Sequence, residues 1–484
     1  MTLEREVGSE AVILVSREHS RMSSPAAAIV APANPRSRVI LASLIGTSIE
    51  FYDFYVYATA AVLVFPALFF PAQAPATALL SSFAVFGAAF IGRPLGSILF
   101  GHFGDRIGRN GTLIASLLTM GIATFLIGCL PSASTPGWTV LAPLLLVIFR
   151  FAQGIGLGGE WSGATLLATE NAPAGKRAIY GTFPQLGAPI GFIVANTLFL
   201  ALNLTMSPEA FGAWGWRIPF LASALLVLVG LYVRFRLVEA PAFTLVIEKG
   251  AVARVPLALV FRTSWRQLIL GTFIMLATYV LFYLMTTFTL AFGTAAKTVD
   301  VAAAAAKAAG KPFVPSSFVA GLGYTRNEFL ILLIIGVLFF GVFTLVSGPL
   351  AERFGRRRML SVVTIGIIVF GFLFVPLSSG GIVGVMAWLI LGFSLMGLTF
   401  GPMGAQLPEL FATNVRYTGS GISYNFSSIL GAAVAPYIAL VLWALADGST
   451  ILVGIYLSLA AVITLVALRL SRETRDSDFV TIVE

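Results

Sequence analysis

Glu50 and Asp53 stand three residues apart inside an otherwise apolar run from about residue 39 to residue 70. On a helix that spacing puts both carboxylates on one face, with Tyr57 one turn further along. Two more ionisable groups interrupt apolar runs downstream, Arg93 within 79–103 and Arg150 within 139–163. A carboxyl group can carry a proton, and a guanidinium can present two parallel donors to a substrate carboxylate. In hydrocarbon each such group costs several kcal/mol unless it is paired or set in a water-filled cavity. The rest of the chain must supply that setting.

Composition says what kind of chain surrounds these groups. Of 484 residues, 58% are hydrophobic and 11% charged, against roughly 45–50% and about 25% in soluble domains. That describes a polytopic membrane protein. The 48 Gly and 24 Pro suit packed or broken membrane helices. The net charge of +9 falls in short loops, so it reads as a topology signal and not as a nucleic-acid surface. One Cys (Cys129) and two His (His19, His102) exclude a disulfide framework and a Cys or His metal cluster, and no cofactor is expected. Residues 1–37 are polar, rich in Ala, Pro and Ser, and lack a signal-peptide core. They read as a mobile cytoplasmic tail.

A helix needs about 20 residues to cross a hydrocarbon core of roughly 30 Å. Runs of that kind fall near 39–70, 79–103, 111–130, 139–163, 178–203 and 214–237, then near 266–293, 327–351, 358–377, 382–406, 417–443 and 450–470. The expected architecture is all-α, with twelve transmembrane helices in two pseudo-symmetric six-helix bundles, 38–237 and 266–470. A cytoplasmic linker, 238–265, joins them, and 471–484 form a C-terminal tail. The loops at 104–110, 172–177, 234–266, 352–358 and 407–416 are basic, while 71–78, 131–138 and 378–381 carry no charge. The basic end is therefore cytoplasmic, and both termini lie there. The loop 294–326 breaks this pattern with Lys297, Lys307 and Lys311, and its structure stays open between a short helix and a disordered segment.

The two halves echo each other. Gly101-His-Phe-Gly-Asp105-Arg106-Ile-Gly108-Arg109 recurs as Gly348-Pro-Leu-Ala-Glu352-Arg353-Phe-Gly355-Arg356, each after the second helix of its half. Glu170…Arg177 recurs as Glu409…Arg416 after the fourth. Such duplication is the mark of a transporter that rocks two bundles about a site between them.

The G-x-x-x-D-R-x-G-R loop and its copy resemble the signature of the major facilitator superfamily. Ile49–Phe54, Gly92-Arg93-Pro94-Leu95-Gly96, Arg150-Phe-Ala-Gln153-Gly154-Ile-Gly156-Leu-Gly158-Gly159-Glu160-Trp161 and Trp214-Gly-Trp-Arg217-Ile-Pro219-Phe220 look, more narrowly, like the metabolite:proton symporters. Members of that family carry α-ketoglutarate, shikimate, citrate, or proline and betaine. The resemblance is dense in the N-terminal half and thin in the C-terminal half. It departs at Phe51, where the family usually has Trp, and at Ala240, where it has Ser or Thr. Proton symport, inward transport, a bacterial cell-membrane location and a monomer are what it implies.

Depth follows from the helical rise. Glu50, Arg93 and Arg150 each lie 11 or 12 residues from the nearer helix end, roughly 17 Å at ~1.5 Å per residue. Charges of both signs thus converge near the midplane from the N-terminal half. The other half offers Tyr279 and Tyr283, one turn apart, with Tyr424 and Asn425. Arg93 and Arg150, with Tyr57, Tyr279, Tyr283 and Asn425, are the candidate substrate contacts. Asp53 or Glu50 is the candidate proton carrier, since desolvation and a neighbouring Arg pull a carboxyl group in opposite directions. Asp105, Arg106, Arg109, Glu352, Arg353, Arg356, Glu170 and Glu409 lie at the cytoplasmic ends and are expected to latch one state of the cycle. Glu160 is placed with them. The glycines of 154–159 are expected to allow close helix approach. No Lys-Ser/Thr follows them, so they are not a nucleotide loop.

The expected function is proton-coupled uptake of a small carboxylate-bearing metabolite, an organic anion or zwitterion, by alternating access across the bilayer. The alternatives are an uncoupled uniporter or exporter and, with less support, a transporter-like membrane sensor. An enzyme is not expected, for no metal cluster or nucleophile–base pair is present. Ser471–Glu484 is too short for the C-terminal coiled coil of the family's osmosensors.

Overall fold

A computed structural model describes residues 35–107, 109–235, 256–297 and 321–476, with the side chains at 36, 76, 104–107, 109–110, 256 and 414 left out. The expected tail 1–37 lies almost wholly outside these residues, as do much of the linker, most of the 294–326 loop and the last eight residues. The described part of the linker holds a short helix, Pro256–Thr263.

The long helices are α1 (Arg36–Leu63), α2 (Pro75–Ile107), α3 (Arg109–Cys129), α4 (Leu141–Glu170), α5 (Arg177–Thr205), α6 (Arg217–Arg234), α7 (Trp265–Thr294), α8 (Arg326–Phe354), α9 (Arg356–Phe372), α10 (Gly381–Glu409), α11 (Arg416–Leu445) and α12 (Ile451–Leu470). Among the described residues, eleven are long and apolar enough to cross a membrane. The exception is α9, which breaks at Leu373 and resumes as Phe374–Ser378. The first apolar run likewise splits, into α1 and Phe65–Phe69.

Local chemistry sets several boundaries. Thr325 and Glu328 form a reciprocal cap that starts α8, the Glu328 carboxylate accepting from the Thr325 N–H at 2.8 Å. Gly355 turns the chain from α8 into α9 with φ +86°, a conformation that favours glycine. Pro94 sits inside α2 directly after Arg93, where its ring removes a backbone donor. Wide π-type turns interrupt α7 at Leu284–Phe288, just after Tyr283, and α11 at Ser428–Ala433, just after Asn425. Turns of this kind favour functional positions.

The packing repeats with a shift of six helices. Within the first half the extensive contacts are α2 with α4, α3 with α4 and α6, and α1 with α5 and α6. Within the second they are α8 with α10, α9 with α10 and α12, and α7 with α11 and α12. Between the halves, α5 against α8 is matched by α11 against α2. The arrangement is a pseudo-two-fold pair of six-helix bundles. Its central helices are α1 and α7, whose apolar windows are 72% and 78% buried, above every other span. Outward positions such as Leu225, Leu228, Val362 and Val383 are apolar and exposed, as a lipid-facing surface requires.

Candidate functional site

Helix α4 sets the depth of the site. A Cβ on Gly154 would run into the Ala89 carbonyl, and one on Gly158 into the Arg93 carbonyl, with the Ser97 nitrogen 2.6 Å away. Only glycine lets the α4 backbone lie this close to α2, as expected of small residues between membrane helices. The register puts Arg93 beside Gly158 and leaves Arg150 two turns nearer the neutral end. The four midplane charges thus fall into two layers. All four are at most 2% exposed, so the cluster is sealed from solvent in this conformation.

The layer nearer the neutral end is a hydrogen-bonded chain. Arg150 Nη1 donates to Gln153 Oε1, Gln153 Nε2 donates to Thr124 Oγ1 at 2.8 Å, and the Thr124 hydroxyl reaches Asp53 Oδ2 at 3.1 Å. Asp53 Oδ1 and Arg150 Nε and Nη2 keep no partner. The Arg150 guanidinium lies 4.0 Å from the Tyr57 ring centre and 4.9 Å from that of Phe86. Such contacts are worth about 2 kcal/mol when desolvated. Tyr57 therefore serves as a platform for Arg150.

The second layer is sparser. Glu50 is buried, and neither of its carboxylate oxygens has a hydrogen-bond partner. It faces Arg93, Glu160 and Arg234. Arg93 in turn faces Tyr279, Tyr283 and Tyr424 of the other half. The Phe54 ring lies between the layers, 5.3 Å from Arg93 Cζ and 4.9 Å from Arg150 Cζ. A buried carboxylate with no partner costs several kcal/mol unless a proton or a cation neutralises it.

The C-terminal half contributes rings and amides. Tyr279 and Tyr283 stack at 6.3 Å, and Tyr424 lies 5.2 Å from Tyr279 and stacks on Trp161 of α4 at 3.9 Å. Asn425 donates to the Gly158 carbonyl at 3.3 Å and to Gly421 at 2.8 Å, leaving its Oδ1 unpartnered. The Trp161 indole donates to Gln185, whose amide donates across the halves to the Phe400 carbonyl at 2.8 Å. These contacts form the wall on the basic side of the cluster.

A second charged cluster closes the basic end. Arg356 bonds Glu352 at 2.8 Å and Glu409 at 3.2 Å through two nitrogens, and Arg177 lies 3.6 Å from Glu409. The Ala178 N–H, at the start of α5, donates to Glu352 at 2.6 Å, tying the first half to the second. Residues just past α12 complete the network. Glu473 accepts from the Arg356 and Arg357 N–H groups, and the Thr474 hydroxyl reaches Glu409 at 2.7 Å. Of the expected latch residues, Arg356, Glu352 and Glu409 are thus brought together. Arg353 is not; its guanidinium lies over Phe354, and its carbonyl accepts from Arg475. Glu170 ends α4, half-buried. The side chains of Asp105, Arg106 and Arg109 lie outside the described residues.

Sequence reasoning did not single out Thr124, Gln153 or Gln185, because neutral polar residues leave little trace in a hydropathy profile. It also placed Glu160 with the latch residues. Instead Glu160 forms a buried ion pair with Arg234, which also donates to the Leu113 carbonyl. The signal was available: Glu160 lies well inside the α4 run, ten residues before Glu170.

The model of the family described as "Sugar (and other) transporter" matches residues 39–258 and 313–484. An "Inner membrane metabolite transport protein YhjE" of Escherichia coli (strain K12) is 54% identical over 446 residues, 92% of this chain and 96% of that protein. A shikimate transporter of the same organism is 34% identical over 450 residues, 90% and 95% of the two chains. Among solved structures, a partially occluded, inward-open xylose transporter XylE from E. coli superposes with a TM-score of 0.68 at 16% identity, covering 92% of this chain and 99% of that one.

Proposed function

Because the chain belongs to the sugar (and other) transporter family, a multi-pass membrane transporter with the major facilitator fold, we propose that it imports a small carboxylate-bearing metabolite together with protons. The basic loops put its latched end in the cytoplasm. The observation that carries the reading is the pairing of a buried, partnerless Glu50 with Arg93, which faces Tyr279, Tyr283 and Tyr424 of the other half, whereas Arg150 faces only Tyr283 among them.

Arg93 is the shared element. When Glu50 is ionised it is the nearest counter-charge for the guanidinium. When Glu50 takes a proton, Arg93 is released to bind a substrate carboxylate, with Tyr279, Tyr283, Tyr424 and Asn425 closing over the body of the substrate. Substrate and proton then load together, which is the requirement for symport. The chain through Gln153 and Thr124 ties one nitrogen of Arg150 to Asp53 Oδ2. A single arginine set among all three tyrosines suits one carboxylate better than two. The shikimate transporter among the relatives makes a hydroxylated monocarboxylate a first substrate to try.

Uptake into proteoliposomes under an imposed inward proton gradient tests the reading. The panel is shikimate, α-ketoglutarate, small monocarboxylates, proline and betaine, each repeated with the gradient collapsed. Accumulation of one compound that vanishes on collapse, and in Glu50→Gln, is the expected result. Equilibration indifferent to the gradient makes the protein a uniporter. Accumulation that survives in both Glu50→Gln and Asp53→Asn overturns the assignment of the carrier.

A further inference from the structure

The Glu160–Arg234 pair lies directly against the α1 face that carries Glu50. A Cβ on Gly46, one turn before Glu50, would sit 2.9 Å from Glu160 Oε1 and 2.9 Å from Arg234 Nη2. The ion pair thus occupies the space a side chain at position 46 would take. Glu160 Oε1 is held by Arg234, while Oε2 is buried without a partner. One turn further toward the basic end, on the same α1 face, the Ser43 hydroxyl is also buried and unpartnered. Both Glu50 oxygens, Glu160 Oε2 and Ser43 Oγ therefore form a descending series of unsatisfied polar atoms. Orphaned buried groups in such a series are where bridging waters bind.

We propose that this series is a proton path inside the N-terminal half, separate from the substrate route between the halves. The inference rests on the reading of Glu50 as the proton carrier. In the first step the Glu50 carboxyl gives its proton to Glu160 Oε2, directly or through one water, leaving Glu50 as the carboxylate. In the second, Glu160 passes the proton toward Ser43 and the solution at the basic end, and its carboxylate re-forms the pair with Arg234. One proton passes from Glu50 to the solution, the Glu160–Arg234 pair is restored, and Glu50 stays a carboxylate until its next proton arrives. The Glu50 carboxylate left behind then competes with the substrate for Arg93, so proton departure favours substrate release. The groups facing the path are Arg93 from α2, Glu160 from α4, Arg234 from α6, Tyr283 from α7 and Tyr424 from α11. None of the steps requires α11 to leave α2.

That last property makes the path testable without knowing the substrate. A Cβ on Gly421 of α11 would lie 3.8 Å from the Ser97 Cβ of α2, within the span of a disulfide, and 2.9 Å from the Ser162 hydroxyl, which turns aside to admit it. Ser97→Cys with Gly421→Cys, in a Cys129→Ser background, therefore locks the two halves together once oxidised. The locked protein is reconstituted in one orientation and treated with dicyclohexylcarbodiimide, which modifies protonated carboxyls in apolar surroundings. Labelling of Glu50 is read by mass spectrometry as the pH at the basic end is varied and the pH at the other end is held. The expected result is that Glu50 labelling follows the basic-end pH in the locked protein. It should respond at least tenfold more slowly in the same protein carrying Glu160→Gln with Arg234→Gln, which removes both charges of the pair and so avoids stranding either one. An unchanged response in that double variant, or a locked protein indifferent to basic-end pH, overturns the path. If Glu50 is unlabelled at every pH without the lock, Glu50 is not the carrier, and the reading beneath the path fails instead.

Discussion

Two clusters of arginine and carboxylate lie in this molecule, one at the midplane and one at the basic end, and they are satisfied very differently. At the basic end Arg356 holds two carboxylates, Glu473 caps the start of α9, and the Ala178 N–H meets Glu352 across the halves. At the midplane both Glu50 oxygens, Asp53 Oδ1, Arg93 Nε and two Arg150 nitrogens are buried without partners. The residue types are the same, so the difference is one of completion. A buried network whose carboxylates and guanidinium are all bonded fixes one arrangement of the chain, whereas one whose charged groups are left open is a place where something else must bind. We therefore propose latching for the first and ligand binding for the second.

The largest expected effect is at Arg93. Arg93→Ala should reduce the initial uptake rate of the carried compound at least a hundredfold, since two charge-assisted hydrogen bonds are worth about 1.5–3 kcal/mol each. Arg93→Lys keeps the charge but not the planar fork, and a loss of roughly tenfold is expected. Uptake rates and equilibrium binding of the same compound check both. If Arg93→Ala binds and transports normally, the incomplete cluster is not the ligand site.

Arg356→Ala should behave differently. Removing one partner from a buried ion pair costs about 3–5 kcal/mol, because Glu409 is left buried with less compensation. The thermal unfolding temperature should fall, and a thiol reagent applied at the basic end should reach Ser97→Cys more readily. Substrate affinity should change far less than in Arg93→Ala. A variant that loses affinity but keeps its stability would erase the distinction between the clusters.

Gly158→Ala probes the contact that sets the two layers apart. The new methyl meets the Arg93 carbonyl, and overpacking of this kind costs about 1–3 kcal/mol. Displacement of α2 at Arg93 should weaken substrate binding about tenfold. Gly111→Ala has open space around its Cβ, and binding there should be unaffected. Both are read by the same equilibrium binding measurement.

What the sequence made legible divides along the same line. Glu50, Asp53, Arg93 and Arg150 announced themselves because charges inside apolar runs are expensive, and the repeated loop exposed Glu352 and Arg356 as a pair of copies. The pseudo-symmetry of helix packing followed from the same repeat. Thr124 and Gln153 were silent, since their role exists only once α3 and α4 are packed against α1. Arg234 was counted as a loop charge because it is the last residue of α6, and only the fold turns its side chain inward to Glu160. The tail after α12 was silent for a further reason: Glu473 and Thr474 have ordinary hydrophilic neighbours, and nothing local predicts that they dock on α9 and α10.

That docking gives the smallest effect and the finest test of the contrast. Thr474 is fully buried, and its hydroxyl lies 2.7 Å from Glu409 Oε2 and 2.8 Å from Gln406 Oε1. With one hydrogen to donate, it makes one bond at a time, so Thr474→Val should cost about 1 kcal/mol. Glu409 keeps its bonds to Arg356, and folding should survive with little change in unfolding temperature. If the cluster is a latch, that energy is lost only in the closed state, and the population open at the basic end should rise about fivefold. Labelling of Ser97→Cys from that side measures it, with substrate affinity as the control. A rise in labelling without loss of affinity is the signature of a latch. Equal labelling in the two proteins would mean that the tail packs on the cluster without helping to hold it shut.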